Sequence, residues 1–376
     1  MKLRNTINFL VIIIVYTALT FYIGWNGWLW LHTAFGLETK WVYGVLLCVL
    51  SFSYIIGHFL KSIALFKIIG SYWFGVLQYA ILFLPIANLI AILLVLFGLP
   101  KATVITWLGV IVLIAFIVLF IIGTFNAYSP VVRHFSIEIP KRGQTRSQLS
   151  IAMASDMHFG RLSGPGHARR LVKEVNLLQP DLILLPGDII DDDPEPFIKK
   201  KMGTIMSELS APLGVYGVLG NHEYYGGGIP KYLKEMEQNG IRILMDEVIK
   251  IEDMFYLAGR KDKTDRNRKS IDTLLSDIDH SLPIILMDHQ PAEVKQASDN
   301  QVDLLLSGHT HRGQMAPNHL ITRRIFEVDW GYLQKQQLHT IVSSGYGFWG
   351  PPLRIGSRSE IIQIDVKFTG SIEEIE

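Results

Sequence analysis

The sequence predicts an α/β protein on a membrane anchor: four transmembrane helices followed by an α/β domain. Two features of the apolar content predict the anchor, and a third the domain. Of 376 residues, 49% are hydrophobic and only 18% charged, which is oilier than a soluble chain of this length. The excess is concentrated in four uncharged runs within the first third. From Leu149 onward, apolar runs of strand length alternate with segments of helical spacing, the pattern of an α/β domain. A formal net charge of +1 speaks against nucleic acid as a partner, which would call for a marked basic excess. The single cysteine, Cys48, lies in an apolar segment and leaves no disulfide framework or thiolate metal cage to consider.

The four runs cover roughly Asn8 to Trp30, Val42 to Leu60, Tyr72 to Phe97 and Val104 to Phe125, each close to the roughly 20 residues a bilayer crossing needs. Trp25, Trp28, Trp30, Trp41, Tyr43, Tyr72, Trp73 and Trp107 stand near their ends, where interfacial aromatics prefer to sit. Lys2 and Arg4 precede the first run, but it is too long for a signal peptide and lacks a small-residue cleavage pattern, so it reads as a retained span. With four crossings, Lys2, Arg4, Lys61, Lys67, Arg133, Lys141, Arg142 and Arg146 share one face and only Lys40 and Lys101 the other. The positive-inside rule then predicts a multi-pass protein of the cell membrane with its carboxy-terminal domain in the cytoplasm. Within the spans, Pro85 is a place where a helix can break, His58 reads as interfacial and Asn88 as a partner for a neighbouring helix. The domain boundaries follow: a membrane domain over 1–127, a basic juxtamembrane linker over 128–148 containing Pro130, Pro140 and Gly143, and the α/β domain over 149–376.

A short strand is expected at Phe135–Ile139, and helical spacing recurs over Ala168–Leu178, Phe197–Leu209, Pro230–Asn239 and Ile271–Ile278. Several strand-like runs are almost continuously apolar, as expected when both faces of a sheet are covered, and each leads into polar chemistry. Ile151–Ala154 reaches Asp156-Met157-His158; Leu182–Leu185 reaches Gly187-Asp188; Val215–Leu219 reaches Gly220-Asn221-His222-Glu223; Ile284–Met287 reaches Asp288-His289-Gln290; Leu304–Leu306 reaches Gly308-His309-Thr310-His311. Open α/β sheets bind ligands at the carboxyl ends of their strands. Any one ending reads as an ordinary polar turn or a packed histidine. Five endings of one donor chemistry read as a metal site.

The donors are two aspartates, an asparagine and four histidines: Asp156, His158, Asp188, Asn221, His289, His309 and His311. Oxygen and imidazole donors suit Mn²⁺, Fe, Zn²⁺ or Co²⁺ better than Ca²⁺ or Cu(I). In Asp156-Met157-His158 both polar side chains fall on one face of an extended segment and can grip one ion. Asp188 has two carboxylate oxygens and can bridge two ions about 3.5–4 Å apart, the spacing of two-metal phosphate-cleaving sites. Two divalent cations against Asp156, Asp188 and one hydroxide leave surplus positive charge to attract a phosphate, and the neutral Asn221 preserves it.

These five motifs, in this order and spacing, resemble the complete signature of the calcineurin-like metallophosphoesterases. The likeness covers about residues 149–366 and is nearest to the membrane-associated bacterial branch that ends in His-Thr-His-x-Gly-Gln, here His309-Thr310-His311-Arg312-Gly313-Gln314. It implies a layered domain of β-sheets flanked by helices and two bound divalent metals, Mn²⁺ in the first place, with Fe, Zn²⁺ and Co²⁺ as alternatives. Asp156, His158 and His311 would hold the first metal, Asn221, His289 and His309 the second, with Asp188 between them. His222 would be the catalytic residue, contacting the phosphate and protonating the leaving oxygen while a metal-bound hydroxide attacks. Glu223 would orient its neighbours. The activity so implied is a membrane-anchored, metal-dependent phosphoric ester hydrolase acting on a phosphomonoester, phosphodiester or pyrophosphate, with a lipid-linked substrate suggested by the anchor. The competing readings are a catalytically idle phosphoesterase-like binding or sensor protein, and a transporter whose spans carry the function; intact donors and the lack of intramembrane charge pairs count against them.

Other stretches read more blandly. Asp191-Asp192-Asp193-Pro194 has the composition of a helix start, with a third metal site as the alternative. The loop Gly345–Arg354 offers Phe348, Trp349 and Arg354 as a pocket wall or as cover for a sheet edge, and Arg161, Arg312 and Arg358 are further candidates for phosphate contact. Arg260–Lys269 reads as a solvated charged loop, and His167, His280, His319 and His339 as ordinary packed or hydrogen-bonded side chains.

Overall fold

The computed structural model of the protein describes residues 2–59, 64–143 and 146–370; Lys61 lies outside them, as do the side chains of Lys2, Arg4 and His58. The chain divides into two compact units, Met1–Gly123 with Gly350–Leu353, and Thr124–Trp349 with Arg354–Glu376. The first is built from α1 (Lys2–Phe35), α2 (Lys40–Phe59), α3 (Ala64–Leu96) and the greater part of α4 (Lys101–Tyr128). All four helices are long and apolar enough to cross a membrane, with the backbone donors and acceptors satisfied internally as lipid demands. Pro85 is accommodated inside α3 without ending it. Asn88 on α3 donates to the Tyr22 hydroxyl on α1 at 2.8 Å, the interhelical role its sequence context suggested.

Among its described residues the second unit holds twelve strands: β1 (Val131–Ile139), β2 (Gln148–Met153), β3 (Leu182–Pro186), β4 (Val215–Val218), β5 (Ile241–Ile243), β6 (Glu247–Ile251), β7 (Phe255–Gly259), β8 (Ile284–Met287), β9 (Leu304–Ser307), β10 (Gly331–Lys335), β11 (Leu338–Val342) and β12 (Glu360–Phe368). They form two six-stranded sheets, ordered β1-β12-β2-β3-β4-β5 and β10-β11-β9-β8-β7-β6. β2, β3, β4 and β5 run parallel, as do β7, β8, β9 and β11.

Two-residue periodicity explains why the strand sequences read as unbroken hydrophobic runs. Leu182 and Leu184 of β3 point into an inner core shared with Ile285 and Met287 of β8 and Leu304 and Leu306 of β9. Ile183 and Leu185 point the other way, into a second core built with helices 165–177, 194–199, 202–206 and 229–238. Ile284, Leu286 and Leu305 face a third core under helices 271–275 and 294–299. The layers are therefore helix, sheet, sheet, helix, the layered α/β domain that the motifs implied.

Two details depart from the sequence reading. The helix expected over Phe197–Leu209 is two helices, Pro194–Lys199 and Met202–Met206, because Lys201 adopts the left-handed conformation (φ 52°) between them. The charged segment Arg260–Lys269 is solvated only in part: Lys263, Arg266 and Lys269 are exposed, but Arg260 and Asp262 are buried. Arg260 and Arg268 pair with both Asp288 and Glu293 at 2.6–3.2 Å, so the charge that is buried is neutralised, as burial requires.

Candidate metal centre

The five strand-end motifs meet where the carboxyl ends of the two sheets come together. Asp156 and His158 follow β2, Asp188 follows β3 and Asn221 follows β4, all on the first sheet; His289 follows β8 and His309 and His311 follow β9 on the second. Asp156, His158, Asp188, His309 and His311 all have positive φ, between 46° and 71°. For residues with a side chain this conformation is uncommon and is sustained only where surrounding contacts impose it. It turns each side chain away from the strand direction and into a shared centre.

Two glycines let these backbones approach. A Cβ on Gly220 would lie 2.1 Å from Asp188 Oδ1, and one on Gly308 2.2 Å from Asp156 Oδ2. Neither space admits a methyl group.

The donors gather in two sets. Asp156, His158 and His311 offer ligand atoms within 4.8 Å of one another, and so do Asp188, His289 and His309. Asn221 Oδ1 joins the second set, 2.8 Å from His309 Nδ1 and 3.2 Å from His289 Nε2. Asp188 Oδ2 lies between the sets, 3.2 Å from His289 Nε2 and 3.9 Å from His158 Nε2. His158 and His311 face each other through Nε2 atoms 3.0 Å apart. Burial holds His158 down to about 3, His309 to about 4 and His311 well below the ordinary histidine value, so their rings are neutral, the form that donates a lone pair to a metal. Burial also raises Asp156 to about 6. Asp188, despite burial, is held below the carboxylate range by His289. A buried set of imidazoles and carboxylates facing inward, with neutral nitrogens in contact, fits divalent cations, whose charge would keep both carboxylates ionised.

Surrounding hydrogen bonds fix the donors in place. His289 Nδ1 donates to the Pro186 carbonyl at 2.8 Å, which directs Nε2 inward. Asp156 accepts from Ser155 Oγ at 2.5 Å and from the His309 amide at 2.9 Å. Asp188 Oδ1 accepts from the His222 amide at 2.9 Å. Glu223, buried and pushed up to about 8 by burial and by Asp188, gathers the amides of Gly220 (2.7 Å), Ile190 (3.0 Å) and Asp188 (3.2 Å), the orienting position expected of it.

His222 sits at the edge of this centre on the short helix Asn221–Tyr225, its ring edge-on to His158 with centroids 4.6 Å apart. Its Nδ1 is 2.8 Å from Asp192 Oδ1 and 3.9 Å from Asp191 Oδ1. Burial opposes its charge, yet the bond to Asp192 and the nearby Asp188 carboxylate lift it to about 9. Asp192 is the contact to this site that sequence reasoning missed: within Asp191-Asp192-Asp193 only Asp193 caps the following helix, accepting from the Glu195 amide. The sole signal was an acidic run three residues after Asp188.

The arginines expected near phosphate divide. Arg354 is fully buried, donating to the Gly347 carbonyl and approaching His311 Nδ1 at 3.2 Å. Arg358 donates to Ser129, and Arg312 stacks on Trp330 at 4.0 Å. Phe348 is buried against Tyr128, with ring centroids 5.1 Å apart, whereas Trp349 is 56% exposed. His167, His280 and His339 hydrogen-bond main-chain carbonyls, in keeping with their ordinary reading.

Comparison with known proteins points the same way. The sequence model described as calcineurin-like phosphoesterase matches residues 149–313. An uncharacterized metallophosphoesterase of Aquifex aeolicus is 32% identical over 247 residues, 64% of this chain and 93% of that one. A transmembrane protein with metallophosphoesterase domain from Danio rerio is 32% identical over 276 residues, 69% of this chain and 62% of that one. Among solved structures, a dimetal phosphatase from Danio rerio aligns over 52% of this chain and 87% of that chain, with 13% identity and a TM-score of 0.36, too distant to bear on activity.

Proposed function

The chain belongs to the calcineurin-like metallophosphoesterases, and from that premise we propose that it is a membrane-anchored dimetal phosphohydrolase that cleaves a phosphoester, phosphodiester or pyrophosphate. The observation that carries the proposal is the convergence of seven oxygen and nitrogen donors from five strand ends, all but the part-exposed His309 buried, in two sets on either side of Asp188 Oδ2. In this reading Asp156, His158 and His311 hold one metal, Asn221, His289 and His309 the other, and Asp188 lies between them. Mn²⁺ is the first candidate and Fe, Zn²⁺ or Co²⁺ the alternatives. When bound, such a pair supplies Lewis acidity at the phosphoryl group and an acidic water as nucleophile.

The remaining roles belong to the chain. His222, protonated through its bond to Asp192, delivers a proton to the leaving oxygen. Asp192 fixes the ring so that Nε2 is the atom presented to substrate. Glu223 locks the turn carrying Asp188 and Gly220, and Asn221 contributes an oxygen without cancelling charge. A lipid-linked ester is the favoured substrate class, because the four spans keep the site near a bilayer, and the positive-inside distribution favours a cytoplasmic site. The intact proton donor beside a complete donor set favours catalysis over an idle binding protein.

The test is hydrolysis by the full chain in detergent with added Mn²⁺, using bis-(p-nitrophenyl) phosphate, its monoester, pyrophosphate and extracted phospholipids. Turnover that chelation abolishes and that both His222→Ala and Asp188→Asn remove is the expected result. Absence of metal-dependent turnover on every one of these esters would overturn the enzymatic reading.

A further inference from the structure

We propose that the helix His319–Ile325, together with the exposed Trp349 bonded to Gln314 just before that helix, forms an anionic-lipid docking surface beside the metal centre. This inference is independent of which ester the site cleaves. The helix has no buried residue, yet Leu320, Ile321 and Ile325 are large aliphatics exposed by 51%, 58% and 66%. Three of the few large apolar side chains exposed on this unit thus fall in a single seven-residue helix, a concentration that water does not favour.

The two sides of the helix differ in chemistry. At 100° per residue, Leu320, Ile321, Arg324 and Ile325 share one side, while Thr322 and Phe326 turn inward. Thr322 Oγ1 donates to Asp329 at 2.6 Å and the Phe326 ring lies 6.0 Å from that of His309. The inward side is therefore pinned to the metal centre and the outward side is free to meet a partner. Arg323 and Arg324 stand in the last turn of the helix with no ion-pair partner among the described residues. Aliphatic side chains with guanidinium groups among them form the composition of a helix lying in a membrane interface, where acyl chains take the former and anionic headgroups the latter.

The second unit supplies its own measure of closeness to the bilayer, because it contains the last turn of the apolar helix α4. Asn126 in that turn donates to the Arg354 carbonyl, and the Tyr128 ring packs on Phe348, next to Trp349. Gln314, five residues before the helix, brackets the Trp349 main chain with bonds of 2.9 and 3.1 Å. Arg133, five residues beyond the end of α4, stacks on Trp330 together with Arg312. Arg312 and Gln314, which lead into the exposed helix, thus share partners with the residues at the end of a membrane span. A bilayer is the partner that this placement and charge fit.

The test uses the full chain in vesicles, with Cys48→Ser and a single fluorescent label on Ile321→Cys or, as a remote control, Lys234→Cys on the helix Ile229–Gln238. Vesicles are phosphatidylcholine alone or contain about one-third phosphatidylglycerol, each with or without nitroxide-bearing lipid. We expect lipid-borne nitroxide to quench the label at 321 and not at 234, more strongly with phosphatidylglycerol, and Arg323→Glu with Arg324→Glu to abolish the difference. Hydrolysis of a soluble ester by the double variant reports that it is folded. A label at 321 that stays open to aqueous quencher in both vesicles overturns the proposal, as does lipid quenching indifferent to headgroup charge. Shielding from both quenchers that grows with protein density assigns the surface to a second copy and overturns it as well.

Discussion

His222 touches acidic side chains on one side and a donor of the metal centre on the other, so its removal separates catalysis from metal binding. His222→Ala is expected to lower kcat by about 10²–10⁴-fold while elemental analysis finds the metal content unchanged; concurrent metal loss would make it a ligand instead. Asp192→Asn is expected to cost about 10–100-fold with a smaller change in KM, since the ring loses its orientation and not its presence. Gly308→Ala places a methyl where Asp156 Oδ2 sits, and is expected to reduce both bound metal and activity with the thermal transition of the domain retained. At this scale the donors were readable because each follows an apolar strand directly. Asp192 was not, because a bond to His222 across 30 residues leaves no local spacing. Arg354 is a candidate for phosphate contact by sequence, yet its guanidinium donates to the carbonyl of a loop glycine, Gly347, a contact no sequence pattern encodes.

The helix Pro165–Leu177 offers a test of burial. His167 on it is buried against Tyr346, and desolvation lowers its pKa to about 4. Its folded value lies below the unfolded one near 6.5, so acidification favours the unfolded chain, which alone takes up the proton. The stability of the domain is therefore complete above about pH 6.5 and falls as pH drops toward 4, by at most about 3 kcal/mol from this group. His167→Phe is expected to flatten that slope in urea titrations of the detergent-solubilised chain at pH 7 and 5; an unchanged difference between the two pH values would refute the assignment. Among the elements, the strands buried on both faces announced themselves by unbroken apolar runs. The break at Lys201 did not, since a lysine in the left-handed region carries no compositional mark. The segment Arg260–Lys269 read as solvated because its partners, Asp288 and Glu293, are supplied from beyond it.

For the whole molecule, the four spans and the catalytic unit make sidedness a measurable property. With Cys48→Ser and Lys234→Cys, a membrane-impermeant maleimide is expected to label only after the cells are opened, as a cytoplasmic domain requires; labelling of intact cells would reverse the orientation. The layered architecture followed from the alternation of strand and helix. The order of strands did not, because pairing between β1 and β12 joins residues 229 positions apart and depends on no local signal.

That pairing also bears on how the protein is made. β12 lies between β1 and β2, parallel to the one and antiparallel to the other, so β1 has no neighbour until the strand at Glu360–Phe368 has emerged from the ribosome. Synthesis therefore leaves β1 and β2 with bare edges throughout the translation of every donor to the metal centre, a state exposed to aggregation and slow to resolve at this contact separation. The first sheet closes last, and the metal centre, carried on β2, β3 and β4 of that sheet as well as on β8 and β9 of the other, can become rigid only when translation has passed beyond all of its own residues.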